Sequence, residues 1–208
     1  MREVKSRPGS LRAEQASVTR QRIEAAARRR LAADGYGATT LRAIADEAGV
    51  AVQTVYAVFG SKAAILRSLR HGLASDAGAD AAWAAALAAP DLDGLIGAFA
   101  RSIRLRWETG ADIVAIDGDA AHADPAIKPE IDAVLARRRQ GIARIATAIV
   151  AVDPAAADPV TLAAAIDALT LPEAYLVLTR VHGWTADAYE AWLRERLADA
   201  ARAPLSPS

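Results

Sequence analysis

Asp117, Asp119, His122 and Asp124 form a carboxylate–imidazole cluster, and a cluster of that kind invites a metal. Asp119 and His122 stand three residues apart, half of the pattern that builds dinuclear sites inside helical bundles. The other half is missing. Neither His71 nor His182 has an acid three residues before it. A helix end with a capping or effector-contacting His122 is the better reading, and neither a metal nor another cofactor is expected. Catalysis fares no better. The chain has three histidines and no cysteine, with no nucleophile–base–orienter motif around them, so no enzyme is expected.

A second group of chemically useful side chains lies in GVAVQTVYAVFGSKAAIL, residues 49–66. Gln53 can bond adenine N6 and N7 bidentately, and Val52 can pack on a thymine methyl. Thr54 offers a hydroxyl to a phosphate or base edge, Tyr56 a phenol to a phosphate, and Lys62 a cation. What these groups can do depends on the element that carries them. Val50, Val52, Val55 and Val58 with Tyr56 and Phe59 have the composition of a buried strand. Yet Val52, Val55, Tyr56 and Phe59 also fall at i, i+3, i+4 and i+7, one face of a helix.

The rest of the chain decides between them. Ile23, Ala26, Ala27 and Leu31 predict a helix over about 19–34, stopped by Gly35. Leu41, Ile44, Ala45 and Ala48 predict a short second helix, capped by Thr39 or Thr40 and followed by Gly49. Ser61 can cap a helix running through Leu69 into the Ala-rich stretch, ended by Pro90-Asp91. Leu92, Leu95, Ile96, Phe99, Ile103 and Trp107 predict the next. Further helices are expected over about 112–121, after Pro125, over 159–181 with a break at Pro172, and over 186–202. A lone strand among eight or nine helices would have no partner for its backbone polar groups. Residues 51–58 are therefore expected to be helical, and two short helices after a longer one make a helix-turn-helix unit.

Composition agrees. The 208 residues carry no formal net charge, but residues 1–70 hold 13 Lys/Arg against 6 Asp/Glu and the remainder 12 against 19. A basic first third on an acidic body suits a polyanion-binding module. No uninterrupted apolar run of transmembrane length and no signal peptide is apparent, and cysteine is absent, so a soluble cytoplasmic protein with no membrane partner is expected.

Residues 19–66 resemble the DNA-binding domain of the TetR family of transcriptional regulators. The resemblance is carried by Ile23, Ala26-Ala27, Gly35-Tyr36, Thr39-Thr40, Ile44-Ala45, Ala48-Gly49-Val50, Thr54, Tyr56, Phe59, Ser61-Lys62 and Ile65-Leu66. It implies an all-α fold with an N-terminal three-helix helix-turn-helix domain and a C-terminal helical bundle for ligand sensing and dimerisation. The expected division is a disordered basic arm over 1–18, the DNA-binding domain over 19–66, the effector-binding and dimerisation body over 67–202 and a tail over 203–208. The implied function is a repressor, released from a pseudo-palindromic double-stranded DNA operator by a small-molecule effector.

In that arrangement Val52 and Gln53 read bases, while Thr40, Tyr56 and Lys62 hold phosphates and Thr54 serves either purpose. Thr40 combines capping with an anion site at a helix N-terminus. A cation at Lys62, in the first turn of a helix, opposes the macrodipole unless a phosphate lies nearby. Alternatives stay open: Gln53 as solvated surface, Tyr56 as core. Three residues depart from the family pattern. Ala51 removes a side-chain cap, Val58 a phosphate contact, and Arg30 sits where the family is usually apolar. Binding then leans on Arg20, Arg22 and the arm with Lys5, Arg7 and Arg12, unless that arm is a solvated leader.

The body is expected to sense and dimerise. The resemblance implies a homodimer through the last two helices, with Leu162, Ile166, Tyr189, Trp192 and Leu193 at the interface; the same stripes could instead complete the protomer core. Thr185 is a good N-cap, and Trp184 could staple onto Tyr189. Trp83, Phe99, Ile103, Trp107, Ile113, Ile116, Ile142 and Ile145 could line a largely apolar effector pocket, with Phe99, Ile103, Trp107 and His122 as its candidate contacts. A well-packed body without a cavity would instead favour a DNA-binding module with a pure interaction body, or a constitutive architectural binder.

Overall fold

The valine-rich stretch is a helix. The computed structural model of the chain describes residues 8–73 and 77–202, and within these no strand occurs. Val55 is fully buried on the inner face of α3 (Val52–Phe59) and Tyr56 is exposed on its outer face, so the helical period overrides β-propensity.

Three elements position α3. The first, α1, spans Pro8–Ala38 and bends at Gly35, whose φ of 78° and ψ of 170° no helix allows. Its start corrects the expected arm: residues 8–18 are helical, whereas Lys5 and Arg7 lie outside the described residues. Next, α2 (Leu41–Ala48) is capped by Thr40, whose side-chain oxygen accepts from Ala43 N at 3.1 Å. Gly49 follows with a φ of 64°, ending the helix in the left-handed region. Then α4 (Lys62–Leu73) starts with Ser61 Oγ accepting from Ala64 N at 3.1 Å.

The body begins with α5 (Ala77–Ala88) and α6 (Leu92–Val114), which is capped by Asp91. A separate helix over 112–121 was the expectation. Instead α6 continues to Val114, because Gly110, Ala111 and Ile113 extend its buried face, and α7 spans Asp117–Ala123. After it come α8 (Lys128–Val152), α9 (Pro159–Leu169) and α10 (Pro172–Leu176). Leu171 is extended, with φ −67° and ψ 142°, as the residue before a proline must be. A π-helical turn over Val177–Val181 leads to α11 (Ala186–Arg202), where Thr185 Oγ1 accepts from Ala188 N at 3.1 Å. Trp184 packs edge-on against Trp192, one turn beyond Tyr189, the staple partner expected.

Two hydrophobic clusters result. One joins α5, α6, α8, α9 and α11 through Phe99, Ile103, Trp107, Ile145, Ile166 and Leu197. The other fills the helix-turn-helix unit with Ile23, Leu31, Ile44, Val55 and Leu66. It continues without a seam into Ile113, Ile116, Ile127 and Ile131 of the body, so the boundary drawn after residue 66 cuts both α4 and a core.

That packing corrects the expected dimer surface. Leu162, Ile166, Tyr189 and Leu193 are fully buried within the protomer and offer nothing to a partner. Trp192 is half-buried under Trp184. The apolar side chains left in solvent lie elsewhere on the same elements: Val160, Leu171, Val177, Val181 and Trp184. Within the 159–181 stretch an 18-residue window has a mean hydropathy of 1.4, yet only 28% of that window is buried. The helix is broken at Leu171, where the backbone is extended.

Candidate nucleic-acid interface and effector cavity

On the outer face of the helix-turn-helix unit, Gln53 and Thr40 are exposed and Val52 and Thr54 are half-buried. Tyr56 is 56% exposed, which removes its core alternative. Ala51 makes no side-chain cap, so the N-terminus of α3 keeps its free backbone N–H groups. Near Thr40, Arg42 in the first turn of α2 is exposed and has no ionic partner among the described residues. It is not among the DNA-contacting residues expected from the sequence. Its signal was the one applied to Lys62: a cation placed against the helix dipole.

Other basic residues are engaged within the protein, although Arg20 and Arg22 stay exposed. Arg20 Nη2 donates to Ser68 Oγ at 2.6 Å, and the guanidinium lies 4.4 Å from the Phe59 ring centre. Arg22 Nη2 donates to Ala48 O at 2.7 Å, satisfying a carbonyl at the end of α2. Arg30 pairs with Glu47 at 2.6 Å, so its departure from the family pattern is answered by a carboxylate. Lys62 has a structural duty as well. Its ammonium donates to the carbonyls of Tyr36 and Thr39 and sits 4.1 Å from the Tyr36 ring centre. That leaves one of its three donors uncommitted. Burial lowers the Lys62 pKa.

The acidic cluster fastens this unit to the body. The bend at Gly35 frees the N–H groups of Tyr36 and Gly37 from the helix ladder, and both donate to Asp119 Oδ2, at 2.6 and 3.1 Å. A Cβ at Gly35 would stand 3.1 Å from that oxygen. Tyr36 Oη donates to Asp124 Oδ2 at 2.8 Å. Burial, then this carboxylate, raise the phenol's pKa. His122 points to solvent and is absent from the cavity wall, correcting its expected place there; α7 turns it away from the face that carries Asp117.

Asp117 faces Arg70 of α4. The pair is 3.4 Å apart, with Asp117 3% exposed, and neither Arg70 Nη2 nor either Asp117 oxygen makes a hydrogen bond. Burial pushes the Asp117 carboxyl up to about 6 despite the neighbouring guanidinium.

Both residues line a cavity of about 780 Å³ between α4, α5, α6 and α8. Trp83, Phe99, Ile103, Trp107 and Ile142 form its apolar wall, with Trp83 and Phe99 edge to face at 5.6 Å. Ile113, Ile116 and Ile145, expected there, are buried in the packed clusters instead. The cavity is also less apolar than expected. Arg67, Arg70, Arg106, Arg137 and Arg138 reach its wall, because α4, α6 and α8 each turn charged residues toward it. Trp107 Nε1 donates to Thr170 O at 3.2 Å, which locks that ring into the wall.

Comparison with known proteins agrees with the fold. Residues 23–69 match the family model described as bacterial regulatory proteins, tetR family. The fold resembles a TetR family transcriptional regulator, PfmR, from Thermus thermophilus, at 20% identity, over 89% of this chain and 99% of that one, with a TM-score of 0.60. It also resembles the multidrug binding protein EbrR, whose structure holds imidazole, at 26% identity over 90% and 92% of the two chains, with a TM-score of 0.50. No curated protein matches the sequence.

Proposed function

We propose that the chain is a TetR-family transcriptional regulator and a homodimeric repressor, released from a pseudo-palindromic operator when a small organic effector fills the cavity beside α4. One observation carries the reading. The helix that packs under the DNA-binding unit is also a cavity wall: Lys62 holds the end of α1, while Arg67, Arg70, His71 and Leu73 of the same helix face the cavity. A ligand there meets the helix that sets the attitude of α3.

Val52 and Gln53 would read bases in the major groove, with Thr40, Arg42, Thr54, Tyr56 and the third Lys62 donor on phosphates and base edges. The exposed face of Val160, Val177, Val181 and Trp184 would meet its symmetry mate. Two recognition helices must then stand about one DNA turn, roughly 34 Å, apart. A tilt of α4 changes that spacing. The cavity favours ligand control over a pure interaction body, since its volume is that of sites for drug-sized molecules. No catalytic activity is proposed, and the working compartment is the cytoplasm.

Emptying a nearly saturated operator needs about 5.5 kcal/mol of differential affinity between the two states. Linkage makes the coupling reciprocal: operator must weaken effector binding by the factor that effector weakens operator binding. The test selects an operator from genomic fragments, then titrates each ligand in the presence of the other. Equal factors are expected. A cavity ligand that leaves operator affinity unchanged refutes the switch.

A further inference from the structure

We propose that the effector is an amphipathic organic anion, its apolar body against Trp83, Phe99 and Trp107 and its carboxylate taking the Arg70 guanidinium from Asp117. The inference rests on the cavity being an effector site.

Charge is the first support. Five arginines and three carboxylates share the wall. Arg67 is held by Glu130, Arg106 by Asp80, and Arg138 by Asp167 from outside the wall. Arg137 has no ionic partner among the described residues, and Arg70 has only its misaligned contact with Asp117. Two guanidinium groups therefore remain for an incoming anion.

The second support is the state of the pair itself. Buried polar atoms without hydrogen bonds are costly, and here three of them gather on one wall. A ligand carboxylate can meet Arg70 fork to fork, a stronger arrangement than the present one. Asp117 can give up its partner because its carboxyl is already pushed to about 6. Once the ligand neutralises Arg70, the carboxyl takes a proton from solvent and donates it in a hydrogen bond to the ligand oxygen. The other charged groups on the wall come from α4 (Arg67, His71), α5 (Asp80), α6 (Arg106) and α8 (Glu130, Arg137, Arg138), yet Arg70 is the one whose charge acts appreciably on Asp117. An ammonium ligand would satisfy Asp117 but would face Arg70 and Arg137 as like charges.

The consequence is regulatory. Arg70 lies near the end of α4 and Asp117 starts α7, the helix whose Asp119 holds the bend of α1, while Asp124 just after it holds the Tyr36 phenol. An anion that captures Arg70 replaces the contact between α4 and α7 and lets the two helices shift.

The experiment titrates the intact protein with 2-naphthylacetate, 2-naphthylethanol and 2-naphthylethylamine, which share one skeleton, following heat and the fluorescence of Trp83 and Trp107. The acid is expected to bind about 10–100-fold more tightly than the alcohol, the worth of a charged hydrogen-bonded contact, with the amine weakest. Its binding heat should vary with buffer as up to one proton is taken up near pH 7.5. Arg70→Gln should bring acid and alcohol level, and Arg137→Gln, an exposed position, should narrow the gap in part. If Arg70→Gln does not fold, the order of the three probes and Arg137→Gln decide. Acid and alcohol bound alike, or the amine bound best, overturns the anion while keeping the cavity as a site. If none of the three binds, the effector site falls and the anion with it.

Discussion

Arg70 Nη2 and Asp117 Oδ2 stand 3.4 Å apart, both buried, neither in a hydrogen bond. The pair joins the helix under the helix-turn-helix unit to the helix that grips the bend of α1. A buried ion pair with incomplete hydrogen bonding adds little stability, because desolvation offsets the attraction. It is better suited to being exchanged than to holding the fold.

Asp117→Asn should therefore stabilise the protein near pH 8. The folded carboxyl titrates at about 6 against 3.8 for the ordinary group, so the folded state binds the proton more tightly than the unfolded one. Relative to an unperturbed carboxyl, stability is gained as pH falls from about 6 to about 4 and lost as it rises through 6. Asparagine mimics the neutral form, so the gain is at most about 3 kcal/mol at pH 8 and fades toward pH 4. Melting curves at both pH values check this; a lower Tm at pH 8 would mean that the pair is a net tie.

Gln53→Ala should cost about 1–3 kcal/mol on the selected operator and little on random DNA, since a bidentate base contact discriminates and a phosphate contact does not. Fluorescence anisotropy on both DNAs separates the cases. Equal losses would move Gln53 to the residues that hold position.

Lys62→Met should act twice. Two carbonyls lose a charged donor, which should cost about 1–3 kcal/mol in urea unfolding. If the third donor meets a phosphate, the slope of log K against log salt should also flatten by about one unit. Lost stability with an unchanged slope would make Lys62 purely structural. Arg42→Ala should flatten the slope alone, because no internal partner is lost.

Val181→Asp should abolish dimerisation without unfolding the protomer, because this side chain is 72% exposed. Sedimentation should show a folded monomer, and operator affinity should collapse as the half-sites lose their linkage. Leu193→Asp, by contrast, should unfold the chain, since it buries an unpaired charge in the core. A dimeric Val181→Asp protein would put the interface on another face.

Periodicity and punctuation determined a great deal. The helical order, the Thr40 and Thr185 caps, the stop at Gly49 and the break before Pro172 are local effects, written in backbone preferences and in neighbours three or four residues away. They left α3 helical despite its valines, because no partner strand exists anywhere in the pattern. Tertiary structure decided what local chemistry could not. An apolar stripe on α9 or α11 shows that a face will be covered, not by what. Packing put Leu162, Ile166, Tyr189 and Leu193 against their own protomer and left Val177 and Val181 outside. The acidic cluster likewise announced charge but not its partners, since Tyr36, Gly37 and Arg70 lie 47 to 88 residues away in the sequence. Long-range partners of polar groups follow from how helices pack, and a sequence pattern of period 3.6 carries no record of that.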